Sequence, residues 1–294
     1  MSCSHPLLAV NFGKGEDGKY LMKILPRRHD QNIRSLEERY GHDNLMLIPC
    51  GCCAGCKKAH KKEWSVRCSL ESQYYRDNCM VTLTYDDVHC PRKLIKRDFQ
   101  WFIKRLRNAG IKFRYFGCGE YGTSNGRPHY HIILFGFWPS DAKVQFRNNN
   151  GFPVYQSNFI SSMWNLGLSS VSEVTPGTAA YVAGYVDKKL GYDEFVLMSK
   201  RPGIGERYFR EHLFDIYAYD NLVGSFGVAK VPRYCDKIAD QMFYDLDDLK
   251  AKRKKASNLN LIESMLDHNM LNKEEAIIFN GKVLEDKLKR SKRN

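Results

Sequence analysis

Arg127-Pro128-His129-Tyr130-His131-Ile132-Ile133-Leu134-Phe135-Gly136-Phe137 is the stretch on which the fold turns. After Pro128 it is a run of aromatic and β-branched residues closed by Gly136, the composition of a strand. Upstream, Ile111 to Cys118 is also strand-like, and the connection holds Gly122, Thr123, Ser124, Asn125, Gly126 and Pro128, a strong turn signal. The two segments therefore read as a hairpin with a long tip. Working outward, Met80 to Tyr85 (MVTLTY) alternates as a strand does. Leu94 to Ala109 sets Ile95, Phe99, Phe102, Ile103 and Leu106 at helical spacing, and Gly110 would stop that helix. Asn158 to Leu166 reads as a short helix and Leu168 to Val174 as a strand. Thr175-Pro176 then opens a helix to about Leu190, with Gly191 as its stop. The order β-α-β-β-α-β-α predicts an α+β fold, an antiparallel sheet with helices packed on it rather than a doubly wound parallel sheet.

The flanks are organised differently. The first forty residues mix short apolar groups with Gly and charge. They lead to Cys50-Gly51-Cys52-Cys53-Ala54-Gly55-Cys56, followed by Lys57, Lys58, His60, Lys61 and Lys62. From Glu63 to Tyr75 the pattern fits a helix. Beyond Tyr192 come a Gly- and Pro-containing stretch, Arg201-Pro202-Gly203-Ile204-Gly205, further helical patterns, and a Lys-rich end after Lys250. The expected partition is an N-terminal Cys-rich basic segment (1–78), a central core (79–195) and a mainly helical C-terminal region with a basic tail (196–294).

Composition narrows the partners. The 294 residues carry 46 Lys+Arg against 33 Asp+Glu, a net charge of +13, which makes a polyanion, by default nucleic acid, the expected partner. Charged residues interrupt every apolar run before the ~18 residues of a membrane span. The N-terminus also lacks a basic region followed by a long apolar stretch, so neither secretion nor membrane insertion is expected. In a reducing compartment the ten cysteines would be thiols or metal ligands.

The chemistry lies in three pieces. Side chains alternate along a strand, so His129 and His131 share one face, about 7 Å apart at ~3.3 Å per residue. A hairpin returning through Gly119-Glu120-Tyr121-Gly122 brings Glu120 beside them. Two imidazoles and a carboxylate suit Mg²⁺ or Mn²⁺ in phosphodiester chemistry. The third piece is Tyr181-Val182-Ala183-Gly184-Tyr185-Val186-Asp187-Lys188-Lys189. At about 100° per residue, Tyr185 falls ~40° to one side of Tyr181 and Lys188 ~20° to the other, which gives one stripe of two phenols and an ammonium. A phenol, with a pKa of about 10, gains as a nucleophile from a nearby cation.

Thr82-Leu83-Thr84-Tyr85, Gly119-Glu120 with Arg127-Pro128-His129-Tyr130-His131, and Tyr181-x-x-x-Tyr185-x-x-Lys188 together resemble the HUH endonucleases, and most closely the rolling-circle replication initiators of gokushovirus-like microviruses. The similarity runs from about Cys50 to Lys189, with a looser echo in Arg201 to Gly205. It implies an HUH fold with a central antiparallel sheet of RRM-like topology, histidines on a central strand and tyrosines on a neighbouring helix. It further implies Tyr181 and Tyr185 as alternating nucleophiles on single-stranded origin DNA, with Glu120, His129 and His131 as metal ligands. A Walker A motif is missing from the sequence, so a host helicase and a host DNA polymerase are implied in the cytoplasm of a bacterial host. A plasmid initiator, relaxase or transposase would use the same chemistry.

Two further sets of residues stand beside that core. Cys50, Cys53, Cys56 and His60 could supply a tetrahedral Zn²⁺ site, with Cys52 and Cys68 as alternative ligands. A non-catalytic, zinc-containing nucleic-acid-binding protein is the reading from a different class. DNA contacts are expected from Lys57, Lys58, Lys61, Lys62, Arg127 and Lys189. Phosphate contacts are expected from a subset of Arg92, Lys93, Lys96, Arg97, Lys104, Arg105 and Arg107.

Overall fold

A computed structural model describes residues 3–16, 20–25, 33–122, 126–184, 194–270 and 273–291. The chain divides into two units, Met1–Ala59 with Asp247–Asn294, and His60–Leu246. In the first, β1 (Leu7–Lys14), β2 (Tyr20–Ile24) and β3 (Leu45–Ile48) make an antiparallel sheet in the order β2-β1-β3, with α1 (Ile33–Tyr40) preceding β3. Ala9 and Val10 are buried on β1, whereas Phe12, Leu21, Met22, Ile24 and Met46 are exposed. So shallow a core demands little alternation, and the sheet leaves little trace in the sequence. Helix α2 (Ala54–Ser72) spans the boundary between the units. It begins at Ala54 rather than Glu63.

The larger unit contains β4 (Asn78–Tyr85), α3 (Lys96–Asn108), β5 (Arg114–Tyr121), β6 (Pro128–Phe135), β7 (Lys143–Arg147), β8 (Pro153–Gln156), α4 (Asn158–Trp164), β9 (Gly167–Glu173), α5 (Pro176–Ala183) and β10 (Phe195–Met198). Helices α6 (Glu206–Glu211) and α7 (Leu213–Tyr219), the hairpin of β11 (Asn221–Gly224) and β12 (Gly227–Lys230), and α8 (Arg233–Gln241) follow. In the first unit, α9 (Asp247–Asp267) packs against α10 (Lys273–Arg290), and Ser4 Oγ donates to Glu285 of α10 at 2.6 Å. The Lys-rich end is thus largely a packed helix.

The fold is α+β. Seven antiparallel strands run in the order β10-β5-β6-β4-β9-β8-β7, with helices on both faces. Burial alternates along β4 and sends Cys79, Val81, Leu83 and Tyr85 to one face. There they meet Tyr130, Ile132 and Leu134 of β6, the apolar stripe of α3 (Phe99, Phe102, Ile103, Leu106), and Ile160 and Trp164 of α4. The opposite face presents Phe116, Cys118, Ile133 and Phe135 to Cys68 of α2, Ala179 and Val182 of α5, and Ile204. A central strand covered on both sides must be apolar at successive positions, which is how Ile132 to Phe135 reads. Local chemistry sets the helix ends. Ser157 Oγ accepts from Ile160 N at the start of α4, Thr175 and Thr178 form a reciprocal capping box on α5, and Gly110 takes φ +83° just beyond α3.

Several details differ from the sequence reading. Helix α5 is described only to Ala183, and the expected continuation to Leu190 and the stop at Gly191 lie outside the described residues. The β7–β8 hairpin has no counterpart in the sequence reading because every residue of β7 is exposed, so no apolar period marks it. Edge strand β10 is likewise additional. It is four residues of Phe-Val-Leu-Met, recognisable only through its pairing with β5, where Val196 lies opposite Cys118. The units also follow different boundaries from the expected 1–78, 79–195 and 196–294. Residues 196–246 belong with the sheet because Ile204 fills the same core as Cys68 and Phe116.

Candidate active site

The hairpin of β5 and β6 builds the site through its register. Glu120 pairs with His129, and Cys118 with His131, so period 2 places Glu120, His129 and His131 on one face. That is the face covered by α5. On the other face, Gly117 and Gly119 lack side chains for a steric reason. A Cβ on Gly117 would come within 2.7 Å of the His131 carbonyl oxygen, and one on Gly119 within 2.8 Å of the Phe195 ring. The alternation Gly117-Cys118-Gly119-Glu120 thus lets β5 press close to its aromatic neighbours while Glu120 faces the histidines.

Glu120 Oε1 lies 2.9 Å from His129 Nε2 and 3.0 Å from His131 Nε2, and the carboxylate is almost fully buried. Burial pushes this carboxyl up, but hydrogen bonds from both imidazoles and their charge outweigh it and hold it at about 2. Each ring is fixed from behind. His129 Nδ1 donates to the Arg127 carbonyl oxygen at 3.0 Å, and His131 Nδ1 bonds the Thr82 hydroxyl at 3.0 Å. With its Nδ1–H committed to a carbonyl, a neutral His129 directs a lone pair from Nε2 toward a carboxylate. Only a proton or a cation reconciles those two groups. The three ligand atoms lie within 4.8 Å of one another, so a divalent cation fits.

Tyr181 comes from α5. Its ring meets His131 edge-on, with centroids 5.0 Å apart, and the residue is 44% exposed. Neighbours Ala179, Val182 and Ala183 are buried and seat the helix on the sheet. Tyr185, Lys188 and Lys189 lie outside the described residues. Lys61 of α2, by sequence only a DNA contact, reaches over the end of α5, where a Cβ on Gly184 would be 3.4 Å from its Nζ. Lys62 Nζ donates to the Val228 carbonyl at 3.3 Å.

Other expected contact residues have intramolecular partners. The Arg127 guanidinium donates to the Tyr85 carbonyl at 2.8 Å and pairs with Asp87. Arg105 donates to the Met163 and Trp164 carbonyls at the end of α4, and Arg107 rests on Phe113 and Tyr115. Both belong to α3, which covers the sheet face opposite Glu120, His129 and His131.

The cysteine cluster also differs from the expected set. Cys50, Cys53 and Cys56 converge with Cys3, not with His60. His60 Nε2 instead accepts from the Trp64 indole at 2.9 Å. Cys68, an alternative ligand by sequence, is fully buried in the core beside Phe116. Burial opposes ionisation of Cys53, but N–H groups of Cys56 and Ser4 bring its thiol down to about 6. Cys3 carries no sequence signal, because 47 residues separate it from Cys50.

The Glu120 geometry carries a stability prediction. Its carboxyl titrates near 2 when folded against an ordinary 4.5, so the stabilisation is complete above about pH 4.5 and is lost as the pH falls toward 2. That gap corresponds to ~3 kcal/mol. In metal-free protein at pH 5, Glu120→Gln is expected to lower the unfolding free energy by about this amount, measured with urea, and the deficit should vanish toward pH 2. A deficit that does not change with pH would mean that the carboxylate charge is not its source.

Residues 78–190, from the start of β4 past Tyr181, match a family described as replication-associated protein ORF2. The chain is similar to the replication-associated protein ORF2 of Spiroplasma virus 4, at 32% identity over 294 residues and 90% of each chain. It is also similar to the replication-associated protein VP4 of Bdellovibrio phage phiMH2K, at 35% identity over 64% of this chain and 65% of the relative. Replication-associated protein ORF4 of Chlamydia phage 1 is 33% identical over 48% of this chain and 38% of its own. No solved structure matches.

Proposed function

The chain belongs to the replication-associated proteins of these small phages, and from that premise we propose that it initiates rolling-circle replication by nicking single-stranded origin DNA with a tyrosine nucleophile. The observation that carries this reading is the convergence of His129 Nε2 and His131 Nε2 on Glu120 Oε1, with the Tyr181 ring against His131. The HUH resemblance supports it from the sequence side.

Glu120, His129 and His131 would hold Mg²⁺ or Mn²⁺, which when bound polarises the non-bridging oxygens of a phosphodiester and eases departure of the 3′ oxygen. The Tyr181 phenol oxygen bonds to phosphorus as the P–O3′ bond breaks. The electron pair of that bond goes to O3′, which takes up a proton as a 3′ hydroxyl, and the phenol proton leaves to solvent. The 5′ phosphate stays esterified to the tyrosine and keeps the energy needed for rejoining. Tyr185 serves as the second nucleophile, so that one tyrosine cuts the regenerated origin while the other holds the first end. Lys188 favours the phenolate, as cations near a phenol do. Arg127 and the described lysines hold the strand, while a host helicase and polymerase, in the cytoplasm of a bacterial host, supply unwinding and synthesis. Among the described residues no helix is long and apolar enough to cross a membrane.

Incubation with a labelled single-stranded origin oligonucleotide and Mn²⁺, followed by a denaturing gel, tests the proposal. A covalent protein–DNA adduct is expected from the wild type and none from the Tyr181→Phe, Tyr185→Phe double variant. Failure to form an adduct with Mg²⁺ or Mn²⁺ across several phage origins would favour the non-catalytic binding protein.

A further inference from the structure

We infer that Cys3, Cys50, Cys53 and Cys56 form a closed, four-thiolate structural zinc site that holds the first unit together. The inference is independent of the nicking reaction.

The four sulfurs lie within 4.8 Å of one another. Cys3 and Cys53 Sγ are 3.8 Å apart, and Cys50 and Cys56 Sγ are 4.0 Å apart. A tetrahedron with Zn–S arms of ~2.3 Å has edges of ~3.8 Å. A disulfide would need ~2.05 Å. The spacing is therefore that of four sulfurs around one ion.

The backbone is shaped for the same purpose. Cys53 immediately precedes α2 and Cys56 lies in its first turn, so the two are i, i+3 neighbours on one side of the helix. Gly51 takes φ +75°, and the turn it makes lets Cys53 N donate to Cys50 Sγ at 3.4 Å. Cys50 N donates to Cys3 Sγ at 3.3 Å. Backbone N–H groups aimed at two of the sulfurs stabilise thiolate character. Cys52 Sγ lies 3.5 Å from Cys50 Sγ but is exposed and outside the four.

The need for a staple is equally visible. In β1, β2 and β3 the described buried apolar residues are Ala9 and Val10, while five large apolar residues of this sheet are exposed. So little buried area leaves a small unit marginal, and small units commonly rely on a metal or cross-links. Zinc would displace the thiol protons and tie residue 3 to the turn at 50–53 and to the start of α2. It would be closed to substrate, because all four positions are taken by protein. Tetrahedral sulfur coordination also suits iron, so the test must separate the two metals.

The test uses the full chain, purified under reducing conditions and analysed for metals. One zinc per chain is expected. Replacing it with Co²⁺ should give the strong sulfur-to-metal absorption and the visible bands of a tetrahedral four-thiolate centre. His60→Ala and His131→Ala should keep this zinc, and Cys3→Ser should lose it. Removing the metal with a chelator should lower the melting temperature. The inference is overturned by folded wild-type protein with four titratable thiols and no metal, by disulfides among these cysteines, by iron in place of zinc, or by zinc that survives Cys3→Ser and is lost in His60→Ala. Because the Co²⁺ spectrum is read on the wild type, it decides even if Cys3→Ser fails to fold.

Discussion

His131→Ala is expected to reduce origin nicking by ~10³-fold or more while leaving most of the affinity for single-stranded DNA. Loss of a ligand costs the cation whose electrostatic stabilisation is worth several kcal/mol, and each ~1.4 kcal/mol is tenfold in rate. Affinity depends instead on the charge excess of +13, which the substitution leaves unchanged. His129→Ala should behave alike, because its Nε2 meets the same Glu120 oxygen. Thr82→Val is the graded control. It removes only the hydroxyl behind His131 Nδ1, and partners in that position are worth ~10–100-fold in metal affinity, so excess Mn²⁺ should restore the rate. Gel assays of nicking beside filter-binding measurements provide both readouts. Intact nicking in both histidine variants would remove these residues from the metal site.

What the sequence reveals about this site follows from the range of its interactions. The alternation of His129 and His131 and the return through Glu120 are local, and a hairpin register converts them into the pairing of Glu120 with His129. Three steps are not local. Thr82 reaches His131 only because β4 pairs with β6, and Lys61 reaches Gly184 only because α2 and α5 share a sheet face. Cys3 joins its cluster across 47 residues. The basic residues of α3 mislead in the other direction. Charge suggests phosphate contacts, yet Arg105 caps α4 and Arg107 rests on aromatic rings, because an arginine can satisfy carbonyls and ring faces as well as a phosphate. The N-terminal sheet and β7 are hidden because exposed strands need no apolar period, whereas β4 and β6, facing two layers of helices, cannot avoid one.

Glu71→Ala is expected to destabilise the larger unit by about 3–5 kcal/mol, because Glu71 joins three parts of the chain that the sequence leaves far apart. From α2 its buried carboxylate accepts Arg114 Nε at 2.6 Å and Gly205 N at 2.7 Å. Arg114 also donates to the Pro202 carbonyl at 2.6 Å. One turn earlier, the Arg67 guanidinium lies between the Trp64 and Tyr234 rings, at 4.0 and 3.8 Å, and its Nε donates to the Ile204 carbonyl. Arg201-Pro202-Gly203-Ile204-Gly205, a loose echo of the family by sequence, is therefore a clasp. Ile204 plugs the core, Gly205 at φ +76° lets its backbone approach Arg67, and the polar groups around it are satisfied by α2 and β5. Removing the carboxylate strands a buried guanidinium and a buried N–H, the circumstance in which breaking a buried pair is most costly. At about 2–4 °C per kcal/mol for a unit of this size, the melting temperature should fall by ~6–20 °C. Glu71→Gln keeps an acceptor for Gly205 N and should lose less. Since Arg114 begins the strand that ends at Tyr121, just past Glu120, nicking should fall in step with the unfolded fraction and recover on cooling. A fall of under ~3 °C in Glu71→Ala, half the least that the loss of a buried pair predicts, would show that the clasp is not what holds this segment to the sheet.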